Sequence, residues 1–486
     1  MTANNILLTI YFISLSGLVI FGSHRYLLIY FYKKYKKVPL GTKKLTNIFP
    51  MVTVQLPIFN EMNVVSRLIE SIAKLDYPKD KLEIQVLDDS IDETQKTAKE
   101  TVDKLKKSGF NIFYIHRNNR TNFKAGALQN GMSSARGEFI AIFDADFVPK
   151  PNFLKKLIPY FNTDQIGMVQ ARWGHSNRKY SLLTKIQAII LDGHFLIEHT
   201  ARNRSGRFFN FNGTAGIWRK KAIETSGGWQ GDTLTEDMDL SYRAQMKGWK
   251  FVFVPNVVTP AELPVDIDSF KAQQGRWAKG TIQVAKKLLG EILKSKTPFK
   301  VKMEAMFHLS SNFCYLFLMV MTLVLLPAIM VRINTNVRIP LMIDAPIFVL
   351  GTLSIAYFYY TSQKELGYNF WDSIKYIPFL MSTGISLAVS NSKFVLEGMY
   401  GQKAEWVRTP KYGLTGADAK LNGKKYKSHK INLIFYIELL LTIYFTILLY
   451  LTIKARLYAL IPIILLFQFG FMYFSVSSIL LTFKQK

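Results

Sequence analysis

Two stretches limit what this chain can fold into before any motif is considered. Met1–Ser23 and Leu457–Phe483 carry no charged residue, and each is longer than the ~20 apolar residues that cross a bilayer core. A chain with such runs at both ends cannot bury them in one soluble core, so an integral membrane protein is expected. The first run has no basic segment before it and no small-residue cleavage site after it, which favours an uncleaved anchor over a secretory signal. Six lysines follow between Lys33 and Lys44, and cationic loops beside a span favour the cytoplasmic side. The domain that follows the anchor is therefore expected in the cytoplasm, in a multi-pass protein of the plasma or inner membrane. The formal charge of +28, with 49% hydrophobic residues, fits this pattern. Most basic residues flank apolar runs, which argues against a nucleic-acid-binding stripe. The single cysteine, Cys314, excludes an internal disulfide, a cysteine zinc site and a dithiol redox pair.

The pattern divides the chain into an anchor (1–32), a cytosolic domain (46–290), a hairpin of spans (304–363), an interfacial helix with a cytosolic loop (372–430) and a closing hairpin (431–483). The stretch Tyr376–Ser392 contains Pro378, Gly384 and several hydroxyl residues, so it reads as interfacial instead of crossing. The basic segment Met399–Lys430, with eight Lys/Arg and two acids, must then stay inside. Five spans result, with no further domain expected after them. Glu438 falls within one of them, where it either lines a channel or faces another helix.

Between the anchor and the first hairpin, short β-rich runs alternate with helical ones. Met51–Leu56, Glu83–Leu87, Asn111–Ile115 and Glu138–Phe143 are predicted strands; Asn63–Leu75, Glu93–Lys107 and Lys124–Ala135 are predicted helices. That order implies a parallel α/β sheet, with ligands at the carboxyl ends of its strands. The strand ends are acidic: Glu61 follows the first, Asp88-Asp89 ends the second, and Asp144-Ala145-Asp146 the fourth. Carboxylates one residue apart suit a hard divalent cation shared with phosphate. Asp88 and Asp89 fit turn hydrogen bonds equally well. Lys124 opens a helix, where a cation beside a helix N-terminus suits a diphosphate. Gly213-Thr214 lies in a tight turn, and Thr235-Glu236-Asp237 opens another helix, with Thr235 also a candidate N-cap. On an amphipathic helix Gln273 and Arg276 share a face, and Trp277 can stack on a flat ligand.

In this order the motifs resemble the signature of membrane-embedded, processive family 2 glycosyltransferases, the group of cellulose synthases and cellulose-synthase-like mannan and glucan synthases. The pattern is an aspartate, then Asp-x-Asp, Thr-Glu-Asp and Gln-x-x-Arg-Trp, here between Asp88 and Trp277. Glu405-Trp406-Val407-Arg408-Thr409-Pro410-Lys411 also resembles the gating loop of cellulose synthases. The resemblance implies a GT-A cytosolic domain on a helical membrane bundle, acting as a hexosyltransferase. It implies that Asp88 and Asp89 contact the nucleoside, that Asp144 and Asp146 hold Mg²⁺ or Mn²⁺, and that Lys124 lies beside the diphosphate. Asp237 would be the general base, Gln273 and Arg276 would stabilise the leaving group, Trp277 would form the acceptor platform, and Arg408 and Lys411 would close over the nucleotide. Glu61, Glu236, Gly213 and Thr214 complete the expected substrate-binding set. Two departures are visible: the turn reads Phe211-Asn212-Gly213-Thr214 where the group has Phe-x-Cys-Gly-Ser, and Arg408 replaces a different residue. The expected donor is UDP-glucose or GDP-mannose, and the expected product a β-1,4-linked glucan or mannan passed through the enzyme's own spans. A single-sugar enzyme acting on a glycolipid acceptor is the alternative, and a non-catalytic scaffold that binds nucleotide or anionic lipid the third possibility.

Overall fold

A computed structural model describes residues 3–40, 49–335, 339–401, 408–416 and 433–484. Its centre is a seven-stranded sheet: β1 (Val52–Ile58), β2 (Leu82–Asp88), β3 (Ile112–His116), β4 (Phe139–Ile142), β5 (Ile166–His175), β6 (Gly216–Arg219) and β7 (Lys250–Ala261), in the order β3-β2-β1-β4-β6-β5-β7. The four predicted strands are β1 to β4, and they are mutually parallel. The sheet as a whole is mixed, which corrects the all-parallel expectation. β6 runs antiparallel to both β4 and β5, with Gly216 opposite Ile142, because the turn before it sends the chain back across the sheet. β5 and β7 are again parallel.

This topology explains the site. Two reversals make β5 and β7 point the same way as β1 to β4, so six carboxyl ends share one edge. The amino end of β6 meets them there, so Gly213-Thr214 lies beside the residues that follow β4. Apolar residues pack on both faces of the sheet, one cluster including Val54, Val86 and Phe143, the other Ile140, Met168 and Trp218. Buried polar residues in β1 and β2 are matched across the register: Thr53 donates to Glu83 at 2.9 Å and Gln55 to Gln85 at 3.0 Å, so their burial leaves these donors satisfied.

Among the described residues, five helices are long and apolar enough to cross a membrane: Ala3–Tyr35, Phe299–Val331, Phe370–Tyr400, Leu433–Lys454 and Tyr458–Leu481. The region read from sequence as interfacial is thus among them by length and composition. It is also the most enclosed, 67% buried against 28–33% for the others. Of its inward-facing hydroxyl residues, Thr383 bonds the Phe379 carbonyl at 2.8 Å and Ser386 that of Ser382 at 3.1 Å within the helix, while Ser392 bonds the Tyr315 carbonyl of a neighbouring helix at 2.9 Å, which lowers the cost of their burial. The Ile339–Glu365 helix, 27 residues long, contains the predicted span Ala345–Gln363.

A candidate active site at the sheet's carboxyl edge

The sheet edge opens into a cleft of about 220 Å³. Each wall comes from a different element. β1 delivers Glu61, β2 Asp89, β4 Asp144 and Asp146, and the turn before β6 Gly213. Lys124 enters from the helix Phe123–Met132, and Glu236 and Asp237 from the first turn of Glu236–Met246. Gln273, Arg276 and Trp277 come from the helix Ile267–Lys294, whose start is fixed by Asp266 accepting from the Ser269 amide at 2.7 Å. Arg408 and Lys411 close the remaining side. Glu405, Trp406 and Val407 lie outside the described residues.

Two expected residues do not line the cleft. Asp88 is fully buried and is held by the Ser90 amide at 2.9 Å and the Tyr114 hydroxyl at 2.6 Å. It is the turn-bonding alternative that the sequence left open. Asp89 faces the cleft and takes a two-pronged contact from Arg117, with Nε at 2.7 Å. Thr214 is also fully buried, and its hydroxyl accepts from the Asp144 amide at 2.9 Å, so it aims the strand end from behind. Thr235 occupies the N-cap position, but its hydroxyl makes no capping bond; it packs where a side chain on Gly280 would collide with it.

The electrostatics of the cleft centre on Lys124 and Asp237. Lys124 donates to Asp144 at 2.5 Å and to the Gly213 carbonyl at 2.9 Å. Burial disfavours its charge, but Asp144 and Glu236 prevail and hold the ammonium above its ordinary pKa. Asp237 accepts from the Met238 amide at 2.8 Å. Burial, reinforced by Glu236, pushes its carboxyl up to about 8 despite the pull of Lys124. Glu61 is pushed by burial to about 7 against the pull of Arg408, which contacts it at 2.8 and 3.1 Å. Arg276 donates to Thr409 at 2.7 Å, and burial lowers its guanidinium to about 10. Four of the non-glycine residues with left-handed backbone flank the site: Asn60, Asn122, Phe123 and Ala215. Such strain concentrates where side chains must be aimed.

The sequence did not point to Glu262, which follows β7. Its carboxylate accepts from the amides of Tyr412, Gly413 and Leu414 at 2.9, 2.7 and 3.2 Å, while its own amide donates to Asp146 at 3.1 Å. Lys411 reaches Asp146 at 2.7 Å. Arg120 was missed as well; it lines the cleft and stacks 3.4 Å from the centre of the Phe59 ring. The signal for Glu262 was the apolar run ending in Pro260-Ala261-Glu262, a strand end like the others; Arg120 had none.

A hard divalent cation fits this donor set. Asp144 and Asp146 present oxygen ligands at one strand end, each countered by a lysine. Among the described residues no group of three His, Cys, Asp or Glu side chains converges. The protein thus offers two carboxylates, and a bound ion would draw its other ligands from phosphate and water.

Residues 50–280 match the family described as "Glycosyltransferase like family 2". Glucomannan 4-beta-mannosyltransferase 2 of Arabidopsis thaliana is 35% identical over 414 residues, 81% of this chain and 74% of that protein. The chain belongs to the cellulose-synthase-like family 2 glycosyltransferases. As a member of this family it is a glycosyltransferase. Glucomannan 4-beta-mannosyltransferase 1 of Oryza sativa subsp. japonica is 42% identical, over 55% of this chain and 52% of that protein, so the match spans about half of the rice enzyme's length. A mannosyltransferase from Pyrobaculum calidifontis, solved in complex with GDP-Man and Mn²⁺, shares the fold, with a TM-score of 0.54 and 17% identity over 80% of this chain and all of that one.

Proposed function

We propose that this glycosyltransferase moves a mannosyl residue from GDP-mannose to the end of a β-1,4-linked mannan or glucomannan, inverting the anomeric carbon, and that its product leaves through its own membrane helices. The observation that carries the proposal is the Asp237 carboxylate at a helix start, facing one cleft with the Lys124, Asp144 and Asp146 cluster and the Gln273, Arg276 and Trp277 face. The relatives' names favour GDP-mannose over UDP-glucose and a polysaccharide over a glycolipid acceptor.

One displacement at the anomeric carbon requires one base and neutralisation of a departing diphosphate. Asp237 takes the proton from the attacking acceptor hydroxyl, and its raised affinity for a proton suits that task near neutral pH. Lys124 and Arg276 provide cationic donors for diphosphate oxygens, Gln273 a neutral one, and Trp277 a flat face on which a sugar ring stacks. Asp89 and Arg120 lie where the nucleoside would bind, and Arg408 and Lys411 cover it. When bound by Asp144 and Asp146, Mg²⁺ or Mn²⁺ supplies charge neutralisation on the diphosphate.

Passage of the product is supported by two further cavities. One, of about 300 Å³, shares Asp237, Trp277 and Asn212 with the cleft and extends to Arg25, Gln274 and Tyr359. The other, of about 230 Å³, shares those last three and continues among Leu15, Gly384 and Phe467 of the apolar helices. In this reading the GT-A domain is cytoplasmic.

The deciding test is transfer of radiolabel in membranes containing the protein, with Mg²⁺ or Mn²⁺, from GDP-mannose, UDP-glucose or UDP-N-acetylglucosamine, with Asp237→Asn as control. Label from GDP-mannose in an insoluble polymer, lost in the variant and with chelator, is expected. Label confined to an organic-extractable product would turn the assignment to a glycolipid enzyme. Absence of Asp237-dependent transfer from every donor would refute catalysis.

A further inference from the structure

Glu438 is fully buried within the helix Leu433–Lys454. It does not line the cavities described above. Its carboxylate receives Lys271 Nζ at 3.0 and 3.2 Å, and the two side chains are 0% and 8% exposed. Lys271 lies two residues before Gln273, on the helix Ile267–Lys294 that carries the Gln-x-x-Arg-Trp face.

The contacts of that helix sort by periodicity. Lys271, Gly275 and Lys279, four residues apart, form one face. Lys271 meets Glu438; Gly275 sits so close to Phe394 that a Cβ there would lie 2.2 Å from its ring; Lys279 meets Glu397 at 2.9 Å. Gln273, Arg276 and Trp277 form a second face, on the cleft. The same end is gripped by the other helix of the C-terminal hairpin, where Ser478 donates to Asp268 at 3.3 Å and Phe474 packs with Phe270. Whatever sets the rotation of the first face therefore sets the aim of the second.

We propose that the Lys271–Glu438 ion pair is a strut through which the C-terminal hairpin fixes the rotation of the catalytic helix, making Glu438 and Lys271 positioning residues for Arg276 and Trp277. An apolar pair would hold the two helices together without desolvating two charges, but it would not resist rotation or slippage as a directed ion pair does. Sensitivity is high. A rotation of about 10° moves a side-chain tip about 6 Å from the axis by roughly 1 Å, and a misplacement of that size can reduce a rate ~10²-fold.

The proposal rests on the catalytic reading of Gln273, Arg276 and Trp277. Removing Lys271 leaves Glu438 a buried lone charge, and removing Glu438 leaves Lys271 only Asp268, at 3.5 Å, so the informative variants are doubles of the full chain: Lys271→Met with Glu438→Leu, and the exchanged pair Lys271→Glu with Glu438→Lys, the latter made together with Asp268→Asn so that the new carboxylate does not face a second one. Each is purified in detergent and assayed for thermal midpoint, donor KM and elongation kcat. The apolar double should melt with the wild type and keep its donor KM within about twofold, while kcat falls about 10- to 100-fold. The exchanged pair should recover most of that loss. An apolar double with wild-type kcat would overturn the strut, as would an exchanged pair that folds but stays as slow as the apolar one. Should the apolar double fail to fold, the exchanged pair alone decides. No transfer by the wild type from any donor is the separate failure of the catalytic reading.

Discussion

In Asp237 the proposed role of general base and a cost in stability meet in one side chain. Its folded pKa, near 8, exceeds the ordinary carboxylate value because burial and Glu236 oppose its charge. As a base it acts only when unprotonated, so kcat/KM for transfer should rise with pH and level off above about 8, each unit below costing roughly tenfold. A pH–rate profile that is flat from 6 to 9 would remove Asp237 from the base role. The stability sign is opposite: a carboxyl whose folded pKa is raised contributes stability at low pH that is lost as pH rises through the folded pKa. Asp237→Asn should therefore abolish transfer and raise the melting temperature at pH 8 and above, with little change at pH 4. Gly213 makes a second residue-level case. Its φ is +79°, and a Cβ there would lie 3.0 Å from Asp237 Oδ2 and 3.2 Å from Lys124 Nζ. Gly213→Ala should lose about 1–2 kcal/mol of stability from the left-handed backbone and, through the displaced base, about 10²-fold in kcat. Lost stability with unchanged turnover would show that the crowding is harmless.

At the scale of elements, legibility followed the local signal. β1 to β4 were readable because each is a short apolar run between clear turns, and their polar termini exposed Glu61, Asp89, Asp144 and Asp146. β5 to β7 were not assigned: β5 carries Gln170, Arg172 and His175, and β6 is four residues long. The reversal at β6, and hence the mixed sheet, depends on pairings that no local pattern encodes. Glu262 was lost with β7. Asp88 and Asp89 are adjacent and chemically identical, so only the pleat decides which one faces the cleft. The loop Arg408–Gly416 shows what was missed: sequence supplied its cations, but its main-chain anchor is Glu262. Three amide donors to one carboxylate, each worth about 1.5–3 kcal/mol when charge-assisted, should hold the loop against Asp146. Glu262→Gln, which removes the charge and turns one of the two acceptor oxygens into a donor without changing size, should raise donor KM about tenfold with a smaller effect on kcat. A donor KM equal to wild type would mean that the loop docks without this anchor.

For the whole molecule, the apolar runs and the basic loops beside them were the plainest part of the sequence, but they do not reveal how the helices meet the catalytic domain. The helix Ile377–Tyr400 is the case in point. Its proline, glycine and hydroxyl residues favoured an interfacial helix; Thr383 and Ser386 bond within the helix and Ser392 reaches the Tyr315 carbonyl, and Gly384 borders the innermost cavity. A Cβ at Gly384 meets nothing within 4 Å, so a larger side chain starts into open space. Gly384→Phe should leave folding unchanged and leave the cleft, with Asp237, Arg276 and Trp277, intact. If the product leaves by this path, the phenyl ring meets the growing chain only after several sugars have been added. Early transfers to a short oligosaccharide acceptor should then proceed at the wild-type rate while long products disappear, which sizing of the labelled products would reveal. Full-length polymer from Gly384→Phe would exclude passage through this cavity while leaving the transfer chemistry untouched. Equal loss of short and long products would mean that the cavity serves the cleft itself.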